Sequence, residues 1–323
     1  MATTSPRRRP LALDQVDRAI IEALALDGRA SNRALAGEVG LTEATVATRI
    51  RNLQDRRILG VSAVYDWEAA GYRWDVRVLV EAEGRPAPEV AEALARLPAV
   101  RWVMLVFGPV DIVVHAQFPD REAVAAWLTD GLASVDGVRR VTAEVNLETL
   151  KYEVNLARVP IEATPLQFPA PVVDLDDVDH RIIGALVADG RQSNRQIGRQ
   201  LAVSEGTVRA RLGRLERSGL LRICGQSDPY LTGRVGAWAY VGIDVAGRDV
   251  AEVGASLAAM AEVLVLTVTT GRHHLVAFVV APRRSVLVDV VLRRMRAVDG
   301  VRRTETIEVI RSVRLDYQLA RLL

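Results

Sequence analysis

Two sets of side chains have types and spacing that could do chemistry: Thr42, Thr45, Thr48, Arg49, Arg51 and Asn52, and, later, Ser204, Thr207, Arg209, Arg211 and Arg214. Hydroxyls, an amide and guanidinium forks within a few helical turns are the groups that bond phosphate oxygens and base edges in a DNA major groove. An arginine-rich solvated face has the same composition, and an arginine bias also follows from a GC-rich genome, so residue types alone leave the choice open. Lys151 is the only lysine, so nearly all positive charge is arginine.

The elements that must position these groups occur twice. The stretch 13–59 returns at 175–221 without a gap, offset by 162 residues, with about twenty of its forty-seven positions identical. A period this long means tandem domains, because solenoid repeats run to about 20 to 50 residues. In the first copy Val16, Ile20, Ala23 and Leu24 mark a helix that breaks at Asp27-Gly28-Arg29. Ser31 caps a second helix ended by Gly40, and Thr42 caps a third whose Val46, Ile50 and Leu53 form a buried stripe. Ser193, Ser204, Val208, Leu212 and Leu215 repeat the plan. Three short helices with a tight turn before the third describe a helix-turn-helix, here expected in winged form. The segments 1–60 and 174–222 carry net charges near +3 and +2.

After each helical unit the pattern changes period. Strands are expected over 75–83, 100–107, 111–118 and 138–150, with helices from Pro88 to Leu97 and from Asp120 through Leu128. The second copy follows over 237–245, 249–260, 263–270, 275–281, 283–298 and 301–315, offset now by 163. The order βαββαβ is that of a ferredoxin-like sandwich, so the fold class is α+β. The expected division is 1–60 and 174–222 for the helix-turn-helix units, 61–159 and 223–323 for the α+β units, and a Pro-rich connector at 160–173.

At 323 residues, half apolar and a quarter charged, with a net charge of +2, the chain has the composition of a globular protein. The lone Cys224 excludes an intramolecular disulfide framework. No Cys/His cluster suggests a metal, and no cofactor is expected. The N-terminal MATTSPRRRP is followed by no apolar segment, and no run of about 18 apolar residues occurs, so a cytoplasmic protein with no membrane partner is expected. The Arg7-Arg8-Arg9 tail reads either as an arm for phosphates or as a solvated basic end.

The sequence Leu-Asp-x-x-Asp, then Asp-Gly-Arg, a Ser-capped second helix and a third helix of form T-V-x-x-R-[IL]-x-x-L, followed by βαββαβ with G-x-x-D, resembles the Lrp/AsnC (feast/famine) transcriptional regulators. The match runs over nearly the whole chain, twice. It implies double-stranded DNA as a partner, with Thr45, Arg49, Thr207 and Arg211 on recognition helices. It also implies α+β domains that build a homo-oligomer and sense a small molecule, commonly an amino acid. Effector recognition is then expected at Gly108, Val110 and Asp111 with Asp136 and Gly137, and at Gly271, His273 and His274 with Asp299 and Gly300. An ammonium needs an acceptor, and a carboxylate can use backbone N–H groups exposed at glycines. Both glycine pairs also suit plain tight turns.

Three departures bear on this reading. Family members are usually one unit, about half this length. Arg57 stands where the second copy has Gly219, so the first recognition helix is expected to end less sharply. His274 replaces the acid kept as Asp111, which alters the second pocket, because an imidazole does not substitute for a carboxylate against an ammonium group. The expectation is a non-enzymatic DNA-binding regulator whose halves pair as a pseudo-dimer over an asymmetric operator. Siroheme decarboxylases resemble paired units of the same architecture and form the enzymatic alternative, using His and Arg against tetrapyrrole carboxylates. A purely architectural DNA-binding protein is the third reading.

Overall fold

In the computed structural model, residues 13–153, 168–227, 229, 231–316 and 318–322 are described. The Arg7-Arg8-Arg9 tail and most of the expected connector lie outside them. The first repeat contains α1 (Gln15–Leu26), α2 (Asn32–Val39), α3 (Glu43–Asp55), β1 (Leu59–Asp66), β2 (Trp74–Ala82), α4 (Ala87–Leu94), β3 (Val100–Phe107), β4 (Ile112–Phe118), α5 (Arg121–Ala126) and β5 (Val138–Tyr152). The second contains α6 (Asp177–Ala188), α7 (Asn194–Leu201), α8 (Glu205–Arg217), β6 (Leu221–Ser227), β7 (Ala237–Val245), α9 (Val250–Ala258), β8 (Val263–Thr269), β9 (Leu275–Ala281), α10 (Arg284–Asp289), β10 (Val301–Leu315) and the short β11 (Leu319–Ala320).

The helix starts follow from their caps. Ser31, Thr42, Ser193 and Ser204 each accept the backbone N–H three residues on, which satisfies a donor that has no partner inside the helix. The third helices end alike, at Asp55 and Arg217, because Arg57 adopts the left-handed conformation (φ 56°) that Gly219 adopts freely (φ 75°). The expected ragged end is therefore corrected: the turn survives, at some conformational cost. The helix expected over 283–298 is also shorter, since α10 gives way after Asp289 to a wider π-type turn and a 3₁₀ turn.

The winged form is corrected as well. The strand after each third helix does not fold back on its own unit; β1 pairs antiparallel with β6 of the other repeat, Ala63 opposite Ile223. The reason is burial. Along β1 every residue but Gly60 is buried, so the strand needs cover on both faces, which only the second repeat completes. Val61 to Tyr72 accordingly joins the core of the second helix-turn-helix, while Leu231 joins that of the first. β11 adds to β1 in parallel, Tyr65 opposite Leu319.

The remaining eight strands close into one barrel in the order β10-β3-β4-β2-β5-β8-β9-β7. The repeats meet where β5 pairs β8 and β10 pairs β3, with bulges in both long strands. Helices α4 and α5 cover one outer face over Val76, Val78, Val80 and Val114. Helices α9 and α10 cover the other over Ala239, Val241 and Val279. The inner faces of both half-sheets meet around Trp102, Met104, Trp238, Tyr240 and Phe278.

Candidate functional site

Each recognition helix presents a buried stripe and an outer face. Val46, Ile50 and Leu53, and Val208, Leu212 and Leu215, are buried. On the outer face Thr42, Thr45, Thr48, Arg51 and Asn52 are exposed, as are Ser204 and Arg209, whereas Thr207 is half-buried. Thr42 Oγ1 and Ser204 Oγ share hydrogen bonds with Thr45 Oγ1 and Thr207 Oγ1 at 2.8 Å, and Thr48 donates to the Ala44 carbonyl at 3.0 Å.

The arginines divide into two kinds. Arg49 bonds Asp14 and Asp17, both at 2.8 Å, tying α3 to the start of α1. Arg211 repeats this with Asp176 at 2.7 Å and Asp179 at 3.0 Å, and Arg214 adds a second bond to Asp179 and one to the Asp174 carbonyl at 2.9 Å. The Arg211 guanidinium, aided by the Asp179 backbone N–H, holds the Asp176 carboxyl down at about 2. Arg49, Arg211 and Arg214 thus fasten the recognition helices in place, a role that the sequence reading missed. The outward positions are Thr45, Thr48, Arg51 and Asn52 in one copy, and Thr207 and Arg209 in the other, with Arg209 resting on Glu205 at 2.7 Å.

What sets the two units against each other is the Asp-Gly-Arg turn. Arg29 donates to the Gln192 carbonyl at 3.2 Å and to Asn194 Oδ1 at 3.0 Å; Arg191 donates to the carbonyls of Gly28 and Ala30, both at 3.0 Å, and to Asn32 Oδ1 at 2.9 Å. The Gly28 N–H bonds Ile223 O at 3.0 Å and the Gly190 N–H bonds Val61 O at 2.8 Å. A Cβ on Gly28 would stand 2.9 Å from the Cys224 backbone, so the close approach requires glycine. In sequence this motif reads only as a helix breaker; its reciprocal contacts are made across the repeats.

At the expected effector turns, Asp111 Oδ2 accepts the Ala82 N–H at 2.8 Å, and His274 Nδ1 accepts the aligned Val245 N–H at 3.1 Å. The acid-to-imidazole exchange therefore keeps one acceptor for one backbone donor. Gly137 (φ 92°) and Gly300 (φ 90°) lie against Arg85 and Arg248, which bond the Asp136 carbonyl (3.3 Å) and the Asp299 carboxylate (2.9 Å). The second turn departs further. His273 packs over Gly242 and meets Asp244 at 2.8 Å, and Arg272 bonds Glu305 at 2.8 Å. The aligned residues of the first copy are Val110, Leu79, Glu81, Pro109 and Thr142, and Gly108 and Gly271 each approach the other repeat, at Ile307 and Glu144.

A further group sits inside the barrel, and sequence reasoning missed it. Asp75 and Arg77 alternate with Val76 and Val78, so they read as a solvent face; barrel closure turns that face inward. Burial pushes the Asp75 carboxyl up to about 6, against hydrogen bonds from Asn146 and Gln117 and the nearby Arg77 charge. Burial likewise holds His115 neutral, down to about 3.

Comparison with known proteins places these units. Residues 13–54 and 175–216 match the AsnC-type helix-turn-helix domain, and residues 75–156 and 238–319 match the Lrp/AsnC ligand binding domain. An uncharacterized HTH-type transcriptional regulator of Pyrococcus abyssi is 37% identical over 135 residues, covering 42% of this chain and 85% of that protein. Another, from Pyrococcus horikoshii, is 31% identical over 147 residues, 45% of this chain and 99% of that protein. Each relative thus corresponds to one repeat. Over the full length, the crystal structure of the siroheme decarboxylase NirDL superposes with a TM-score of 0.66 at 16% identity, covering 94% of this chain and 93% of that one. At that identity the likeness is one of fold. No helix among the described residues is long and apolar enough to cross a membrane.

Proposed function

Because the chain belongs to the Lrp/AsnC family, an AsnC-type transcriptional regulator with its ligand-binding domain, carried twice, we propose that it works as a self-contained pseudo-dimer on an operator with unequal half-sites. In this reading 1–60 and 174–222 bind DNA, 61–159 and 223–323 sense an effector and assemble the protein, and 160–173 connects them. The observation that carries it is the pairing of a frame shared by both copies with unlike reading faces. Caps, buried stripe and the Arg49/Arg211 fasteners repeat, while Ala47, Thr48 and Arg51 of α3 are replaced at the aligned positions of α8 by Arg209, Ala210 and Gly213, and the exposed Asn52 by the fastener Arg214. Identical helices favour palindromes; unlike ones favour two different half-sites. Selection of binding sites from random DNA tests this: asymmetric sites with a fixed half-site spacing are expected, and a perfect palindrome counts against it.

The effector is an amino acid or a related small molecule, received at the Gly108–Asp111 turn with Asp136 and Gly137. In the second copy His273, hydrogen-bonded to Asp244, and Arg272, paired with Glu305, leave a different surface at Gly271, His274, Asp299 and Gly300. Further association into a homo-oligomer in the cytoplasm completes the reading. An enzymatic role has the full-length fold likeness to NirDL in its favour. A visible-absorption titration with siroheme decides it, since an unchanged spectrum removes that role.

A further inference from the structure

The two recognition helices share a frame but turn different chemistry outward. On α8, Arg211 and Arg214 point at α6, through Asp176, Asp179 and the Asp174 carbonyl. Arg209 lies two residues before Arg211, so at about 100° per residue it stands on the opposite flank, where it is exposed. Between these flanks the outermost positions are Gly206, Ala210 and Gly213, which have no hydrogen-bonding side chain. Thr207 beside them is half-buried and already bonded to Ser204 Oγ at 2.8 Å. The same sector of α3 is polar: Thr48, Arg51 and Asn52 are exposed at the positions of Ala210, Gly213 and Arg214.

The free cations of the second unit sit on its flank instead. A Cβ on Gly198 would stand 2.8 Å from the Val203 carbonyl oxygen, so that side of α7 adjoins the start of α8. Arg195 and Arg199 lie one turn apart on the flank next to Gly198, both exposed, and α7 contains no acid. The first repeat has Gly37 for Arg199, Glu38 for Gln200 and Ala47 for Arg209. Segment 194–219 thus holds six Arg against two acids, and segment 32–57 five against three. The second unit has the stronger positive field and the barer reading face.

A helix in a major groove turns its outermost residues to the floor, where the base edges lie, and its flanks to the phosphate walls. We propose that the two units divide the work on DNA. The second grips phosphates through Arg195, Arg199 and Arg209 with little regard to sequence, and the first reads bases through Thr48, Arg51 and Asn52. This rests on the DNA-binding reading above and extends it from unlike half-sites to unlike tasks. Arg51 suits a guanine edge and Asn52 an adenine edge, whereas Gly206, Ala210 and Gly213 offer bases apolar contact alone. The preferred site therefore has one strongly specified half and one weakly specified half. Their spacing is fixed, because the crossed Arg29 and Arg191 contacts hold the units together.

The test is a gel-shift salt series with the full chain on the site that selection returns. Single base-pair changes in the first half-site are expected to weaken binding about fivefold or more, and changes in the second less than about twofold. Arg199→Ala with Arg209→Ala should weaken binding to all sequences alike and lower the slope of log affinity against log salt by about 2. Thr48→Ala with Asn52→Ala should flatten discrimination in the first half-site and leave the slope unchanged. A graft reads the same division independently. Nothing lies within 4 Å of a Cβ built on Gly213, so Ala210→Thr with Gly213→Arg should bring discrimination to the second half-site. Equal discrimination in both half-sites of the wild type overturns the proposal, as does an Arg199/Arg209 variant that shifts base preference or keeps the slope. A chain with no preferred site defeats the regulator reading and the division together; a preferred site whose halves tolerate changes alike defeats the division alone.

Discussion

The least comfortable residue in this protein is Asp75. Its carboxyl is held up at about 6 in the folded chain, against an ordinary value of 3.8, chiefly because burial disfavours its charge. An acid with a raised folded-state pKa costs stability once the unfolded chain can ionise it. Stability therefore falls as pH rises from about 4 to about 6 and then levels off. Asp75→Asn keeps the size and most of the hydrogen bonding but has no charge to bury. The variant is expected to match the wild type near pH 4 and to exceed it by about 3 kcal/mol above pH 6. Urea melts across that range measure the difference, and a gap that does not change with pH sinks the argument. Arg49 and Arg211 teach the complementary lesson. Both are legible as basic groups on a recognition helix, yet their carboxylate partners lie 32 to 35 residues upstream, beyond any local pattern.

At the scale of elements, the Asp-Gly-Arg turns and the β1–β6 ladder determine how far apart the two recognition helices stand. Gly28→Ala would force a Cβ to within 2.8 Å of Val61 Cγ1 and 2.9 Å of the Cys224 backbone, so the turn must lift off the other repeat's strand. The expected destabilisation is about 1 to 3 kcal/mol. Affinity for DNA carrying both half-sites should fall well beyond that for a single half-site, because only the former depends on the frame. Gly37→Ala, with nothing within 4 Å of the new Cβ, is the matched control and leaves both affinities alone. Gel shifts with one-site and two-site duplexes read the contrast, and equal losses on both would refute the frame role. The helices were legible because their caps and stripes are local: Ser31, Thr42 and Val46-Ile50-Leu53 satisfy each other within a few turns. β1 and β6 were not. Val61 to Tyr65 is apolar except for Ser62 and shows no alternation that marks one face, and its partner lies some 160 residues away.

Across the whole molecule, duplication followed by divergence has made two halves that fit each other better than either fits itself. The repeat was plain in the sequence because core positions changed like for like; the barrel interior was not, since no pattern within one repeat says what its exposed strand face will meet. A homodimer of first repeats would close Asp75, Arg77, Glu144 and His115 against a second copy of themselves, burying two sets of charges without the cover that Tyr240 and Phe278 give. A homodimer of second repeats would bring two copies of Trp238, Tyr240 and Phe278 into a space that now holds one, overfilling a closely packed interior. Only the mixed pair sets these polar side chains against Tyr240, Phe278 and Thr267, and seats the Gly271 turn beside Glu144. The helix-turn-helix units reinforce this, because each completes its core with a segment from the other repeat. If the chain is cut within 160–173 and the halves are co-expressed, a 1:1 complex should therefore dominate over either homodimer in native mass spectrometry. Replacing His115, Gln117 and Asn146 with the second repeat's Phe, Val and Val should shift the first half toward self-association. A statistical mixture of homodimers and mixed dimers from the unmodified halves would show that the interior asymmetry carries no pairing preference.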